Sequence, residues 1–96
     1  MKYYIVNFDR KPGASYRKFH DDFVNHPEIE KWFHYIRSSY IIETSLTVDE
    51  LSNHFLGLAE KYDLSKFHIV IGVDLSEVQG WLTPDAWKWL DESSQN

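Results

Sequence analysis

The sequence predicts an α+β domain: a four-stranded antiparallel sheet with two helices on one face and a short helix appended at the C-terminal end. Three observations lead there. Short β-branched and aromatic runs alternate with helix-period segments in the order strand, helix, strand, strand, helix, strand. Two right-handed β-α-β units interlock in that order only as one antiparallel sheet with both helices on the same side. The chain has 96 residues, 43% apolar and 17% aromatic, which is one domain's worth and enough for one core without staples.

The first strand is KYYIVNF, residues 2–8, β-branched and aromatic. Pro12 and Gly13 break it, and Ser15 can cap the helix after them. Tyr16, Phe19 and Phe23 stand at i, i+3 and i+7, one face of that helix. Asn25, His26 and Pro27 interrupt it; Pro27 suits a first helical position, so a short second turn over 27–31 is expected. Trp32–Ile36 and Tyr40–Thr44 read as strands joined through Arg37-Ser38-Ser39, a hairpin. Thr47 and Glu50 have capping-box spacing, and Val48, Leu51, Phe55, Leu58, Ala59 and Tyr62 continue at helical spacing. Phe67–Val73 is the last strand, and its unbroken apolar run points to a central place buried on both faces. The arrangement is the ferredoxin-like βαββαβ sandwich, one domain over residues 1–96.

Residues 81–92 are an addition. Thr83, Pro84 and Asp85 make a helix start: cap, N1 proline and first-turn acid. The helix runs to about Glu92 and is too short to hold alone in water, where fewer than ~12 residues are unstable. It must dock, with Trp81, Trp87 and Trp89 as the means, on its own sheet or on a partner's. Residues 93–96 read as a loose tail. Helices on one face leave the other face bare, and in so aromatic a chain a second copy is the simplest cover.

The absence of cysteine excludes thiol nucleophiles, disulfides and cysteine-bound zinc, and fits a reducing cytoplasm. No apolar run approaches the ~20 residues of a membrane span. The start, MKYYIVNFDR, lacks the longer apolar centre of a signal peptide, so a soluble, cytoplasmic protein is expected. Net charge is −5, unevenly spread: residues 1–18 hold five Lys/Arg and one acid, the remainder five Lys/Arg and fourteen acids. The whole molecule should repel nucleic acid, and only the first loop can attract phosphate locally. There is no G-x-S-x-G and no Gly-rich phosphate loop. The five histidines show no i, i+4 metal-binding pair on a helix, so His20 and His26 read as surface, and His34 and His54 as structural or exposed.

The strand ending in Asp9, "WFHYIRSSYIIET" with the "TVDEL" helix after it, and the terminal "GWLTPDAWKWL" resemble the small CRISPR-associated nuclease-like family and the virulence-associated ribonuclease toxins of the same fold. The likeness is greatest to small bacterial and phage members with no established role, and covers roughly residues 2–90. The resemblance implies a homodimer whose sheets face each other and whose C-terminal segments reach the partner. It matches Asp9 to the family's strand-end acid; in nuclease members the two acids of a dimer hold one divalent metal. Ser39 and Tyr40 fall near the family's Ser-x-aromatic position. Arg10 has no match there, and the Arg-Lys-Pro-Gly after Asp9 departs from the family's short polar segment, placing cations where they compete with a metal for the carboxylate.

Around Asp9 the topology gathers Arg37, Ser39 and His68 at one end of the sheet. Two Asp9 carboxylates across a two-fold suit Mg²⁺, which often takes only one or two carboxylates and keeps its waters. Arg10, Lys11, Arg17, Lys18 and Arg37 are then candidate phosphate ligands. Alternatively Asp9 bonds turn amides ahead of Pro12-Gly13 or pairs with Arg10 or Arg37. Tyr4, Phe8 and Tyr40 are candidates for base stacking on an open sheet face, or else belong to the core and a dimer interface. Three readings remain open. One is a dimeric binding or scaffolding module without catalysis of its own, with RNA or another protein as partner. The second is a divalent-metal-dependent endoribonuclease using paired Asp9. The third is a small-molecule sensor between sheet and helices.

Overall fold

The computed structural model describes residues 2–94. Its elements are β1 (Lys2–Phe8), α1 (Arg17–Val24), β2 (Ile29–Ile36), β3 (Ser39–Thr44), α2 (Val48–Lys61), β4 (His68–Val73) and α3 (Pro84–Ser94). The chain is thus α+β, an open four-stranded antiparallel sheet with three helices, consistent with a ferredoxin-like arrangement. The strands lie in the order β2-β3-β1-β4.

Strand alternation sorts the apolar residues onto two sides. On one, Tyr4, Val6 and Phe8 of β1 and Tyr40 and Ile42 of β3 form one cluster with Phe19 and Phe23 of α1 and Leu51, Phe55 and Ala59 of α2. Aromatic rings fill it: Phe19 meets Phe55 edge-on at 5.0 Å, and Phe8 stacks on Tyr40 at 5.7 Å. On the other side, Phe33 and Ile41 are buried with Leu75 and with Ala86 and Leu90 of α3, and Tyr3, Ile5, Val73 and Trp89 pack against them. Trp89 meets Phe33 at 5.5 Å and Tyr3 at 6.5 Å. Burying one medium or large apolar side chain stabilises by about 1.5–3 kcal/mol, so an eleven-residue helix too short to stand alone is held by its inward residues.

The C-terminal helix therefore docks on its own sheet and covers part of the face that the first two helices leave free. It reaches Ser94, and Ser93 is buried, so the loose tail expected from residue 93 does not begin there; Gln95 and Asn96 lie outside the described residues. The capping box at α2 is present as the spacing predicts: Thr47 Oγ1 accepts from the Glu50 N–H at 3.1 Å, and Glu50 Oε1 from the Thr47 N–H at 2.9 Å. Helix α2 ends with Leu64 N–H on the Ala59 carbonyl at 2.8 Å and with Asp63 at φ 54°, the left-handed residue that such an ending requires.

Three local expectations are corrected and one alternative is decided. Ser15 is not the cap of α1: Tyr16 holds that position without a side-chain cap bond, and Ser15 Oγ sits 3.5 Å from the Arg17 N–H. No helical turn succeeds Pro27; β2 begins at Ile29, because Ile29 is buried beneath the helices and aligned with Thr44 of β3. Of the two places open to Tyr4, Phe8 and Tyr40, they take the core: they lie under α1 and α2, at most 7% exposed. The central, two-sided strand is not β4. Tyr40, Ile41 and Ile42 of β3 are consecutively buried between the two layers, whereas β4 is an edge with Ile69 and Ile71 facing solvent. A run of apolar residues reports composition; pairing order decides which run is enclosed.

Candidate functional site

The ends of β1 and β4 and the β2–β3 hairpin meet at one corner. Phe8 N–H bonds the Ser38 carbonyl and Asp9 N–H the Phe67 carbonyl, both at 3.0 Å. Asp9 leaves this corner exposed, and Ser65 Oγ approaches its Oδ2 at 3.5 Å. The neighbouring cations bind the loop. Arg10 Nη1 donates to the Arg37 carbonyl at 2.9 Å, and its guanidinium lies over the Tyr16 ring at 4.1 Å. Lys11 Nζ donates to the Asp63 carbonyl at 2.9 Å and its carboxylate at 3.2 Å, while the Lys11 N–H bonds Tyr16 Oη at 2.7 Å. Arg17, Lys18 and Arg37 are exposed. Arg10 and Lys11 thus close the β1–α1 loop onto the hairpin and the end of α2, with Gly13 at φ 76° making the turn.

His68 and Ser39 do not join Asp9. The His68 ring stacks on Phe55 at 4.4 Å, with Nε2 2.7 Å from Ser52 Oγ and Nδ1 2.8 Å from the Lys66 carbonyl, so it belongs to the β4–α2 contact. Its backbone neighbour Phe8 faces the same layer, which turns His68 away from the strand end. Ser39 acts through its carbonyl, which accepts from His34 Nδ1 at 2.9 Å.

A second polar cluster has no counterpart in the sequence motifs. His20 of α1, His34 of β2 and Tyr40 of β3 converge. His34 stacks on Tyr40 at 4.1 Å and on His20 at 5.4 Å, and His20 Nδ1 shares a 2.8 Å hydrogen bond with the Tyr40 hydroxyl. Trp32 meets the His20 ring edge-on at 4.8 Å. Burial pushes the Tyr40 phenol pKa well above its ordinary value, so it stays protonated. Burial is also the main cause that pushes the His34 pKa down, helped by the His20 and Arg10 charges and opposed by the Ser39 carbonyl. His20 is therefore no surface residue. The signal was present: His20 is i+4 from Tyr16, and β-alternation puts Trp32 and His34 on one face.

His54 forms a smaller assembly, stacked on Phe23 at 5.2 Å, bonded through Nε2 to the Phe23 carbonyl at 2.9 Å and met edge-on by His26 at 4.8 Å. Among the described residues no group of three His, Asp or Glu can hold a metal ion. Among the described residues Asp9 therefore belongs to no such group. Among the described residues no helix is long and apolar enough to cross a membrane. A groove of about 610 Å³ lies between Tyr35 and Ile36 of β2 and the Trp81–Pro84 segment, not between the sheet and α1 or α2, and Trp81 is 99% exposed at its rim.

Compared with protein-family models, curated proteins and solved structures, the chain matches none.

Proposed function

We propose that this chain is a ferredoxin-like binding or scaffolding module that works as a homodimer and carries no catalysis of its own. The observation that carries this reading is the free edge of the sheet. On β4 and the residue before it, Phe67, Ile69 and Ile71 are 79%, 56% and 45% exposed, and no charge interrupts residues 67–73. An exposed, regular apolar edge is a template for pairing with another strand, and proteins that keep one cover it with a partner. The chemistry at the Asp9 corner supports the same reading: Arg10 and Lys11 hold the loop, and His68 serves packing. The lack of cysteine fits a cytoplasmic setting.

The second reading is a divalent-metal-dependent endoribonuclease in which Asp9 from two copies shares one Mg²⁺. It draws support from the exposed Asp9 and from the exposed cations Arg17, Lys18 and Arg37. It requires a dimer that brings the two β1 ends together.

Sedimentation of the full chain, with RNA cleavage assayed in Mg²⁺ and in EDTA for wild type and Asp9→Asn, separates the two. The module reading expects a concentration-dependent dimer, no cleavage, and the same dimer in Asp9→Asn. Mg²⁺-dependent cleavage lost in the variant would establish the nuclease instead.

A further inference from the structure

We infer that the partner of β4 is the β4 of a second copy, paired antiparallel about a two-fold axis through Val70. This rests on the homodimer reading above and specifies its surface and register.

The free edge is defined by hydrogen bonding. Asp9 N–H bonds the Phe67 carbonyl, and the β1–β4 ladder continues in register from Phe8↔His68 to Tyr3↔Val73. In an antiparallel ladder alternate residues point their backbone groups to the same side. Phe67, Ile69, Ile71 and Val73 therefore bond toward β1, and His68, Val70 and Gly72 present their N–H and C=O groups outward. Side chains alternate the other way: Ile69 and Ile71 lie opposite Asn7 and Ile5 on the α3 face, outside the area that α3 covers.

Among two-fold centres on this strand, only Val70 maps the uncharged run 67–73 onto itself. His68 then pairs with Gly72, Ile69 with Ile71 and Phe67 with Val73 of the second copy. The flanking charges complement each other, because Lys66 of each copy falls opposite Asp74 of the other. Both are exposed; Lys66 makes a 3.7 Å pair with exposed Glu60, and Asp74 accepts the Ser76 N–H at 2.9 Å. Opposite charges directly across a ladder favour a register, and like charges oppose it. The other edge, β2, also exposes Trp32, Tyr35 and Ile36, but it is not a regular template: its register shifts twice, at Ile29/Lys31 and Phe33/Ile36, and Glu30 and Lys31 stand exposed on it. Bulges and charges are how sheets blunt an edge.

The result is a continuous eight-stranded sheet with both α3 helices on one face. Each Asp9 lies beside Phe67, three residues from the axis, so the two carboxylates are separated by about 20 Å along the strands alone, at ~3.3 Å per residue. In this dimer they share no ion.

The chain has no native cysteine, so introduced thiols report the register. Ile69 and Ile71 of opposite copies form a non-hydrogen-bonded pair with Cα atoms ~4.5 Å apart, within disulfide range. Wild type is sedimented, and Ile69→Cys, Ile71→Cys and the double variant are oxidised and run on non-reducing gels, with circular dichroism to confirm folding. The expected result is a wild-type dimer, a reducible covalent dimer from the double variant and monomers from each single variant. Cross-linking of a single variant as readily as the double would overturn the Val70 centre while keeping the homodimer. A sedimenting dimer without cross-linking in any folded variant would overturn β4 as the surface. A wild-type monomer at all concentrations would overturn both the register and the homodimer reading.

Discussion

The Tyr40 hydroxyl lies 2.8 Å from Nδ1 of His20, joining the middle of the sheet to α1 beneath an otherwise aromatic layer. Tyr40 is 1% exposed, so its hydroxyl needs a partner inside the fold, and His20 supplies one. Tyr40→Phe keeps the ring stacks on His34 and Phe8 but leaves the imidazole nitrogen unpaired. The expected cost is about 1–3 kcal/mol of unfolding free energy, read by urea denaturation. Tyr40→Phe/His20→Phe should recover part of it, since removing both partners leaves no orphan.

Stability should fall as pH drops below about 6.5, the ordinary histidine value. The His34 and His54 pKa values are both lowered in the folded chain, chiefly by burial. The Ser39 carbonyl, His20 and Arg10 act on His34; the Phe23 carbonyl, His26 and Asp22 act on His54. Between the unfolded and the lowered folded pKa the unfolded chain binds more protons, so ∂ΔG/∂pH is positive there. Thermal melts from pH 8 to pH 5 should show Tm steady above neutrality and declining below it. Replacing both histidines with Gln should flatten that decline, and an unchanged slope would refute the assignment.

Leu90→Ala should destabilise by about 2–5 kcal/mol, because Leu90 is 3% exposed between α3 and the sheet. Chemical denaturation measures it. The same variant loosens α3 over Phe33 and Ile41, so binding of a hydrophobic dye before unfolding is expected.

Asp63→Gly should be neutral or stabilising by up to about 1 kcal/mol. Glycine adopts φ 54° without the penalty a side chain carries. The lost Lys11 ion pair is exposed and contributes little, and Lys11 keeps the Asp63 carbonyl. Thr47→Ala, by contrast, should cost about 1 kcal/mol by removing half of the capping box. Parallel urea titrations of the two variants test the contrast between the ends of α2.

The helices and the hairpin were legible because their signals are local. Thr47 and Glu50 announce a helix start through bonds made within four residues, and Thr83-Pro84-Asp85 does so for α3. The backbones that meet at the Asp9 corner, those of β1, the hairpin and the start of β4, were legible from the strand order. The side-chain roles there were not. Whether Arg10 faces a ligand or the Arg37 carbonyl depends on the height of the hairpin above the loop, and His68 turned to Ser52 because α2 lies on that layer. The His20–Tyr40–His34 cluster joins three elements and has no motif within any of them.

Periodicity and capping in this chain determined four strands and three helices, their order and most of their inward faces, because backbone geometry ties those patterns to neighbours a few residues away. Tertiary structure alone decided that β3 rather than β4 is enclosed on both sides, that α3 closes over its own sheet, and that Phe67, Ile69 and Ile71 remain uncovered. Those outcomes depend on which elements compete for the same apolar surface, and α3, seated against Phe33, Ile41 and Tyr3, does not reach the far edge.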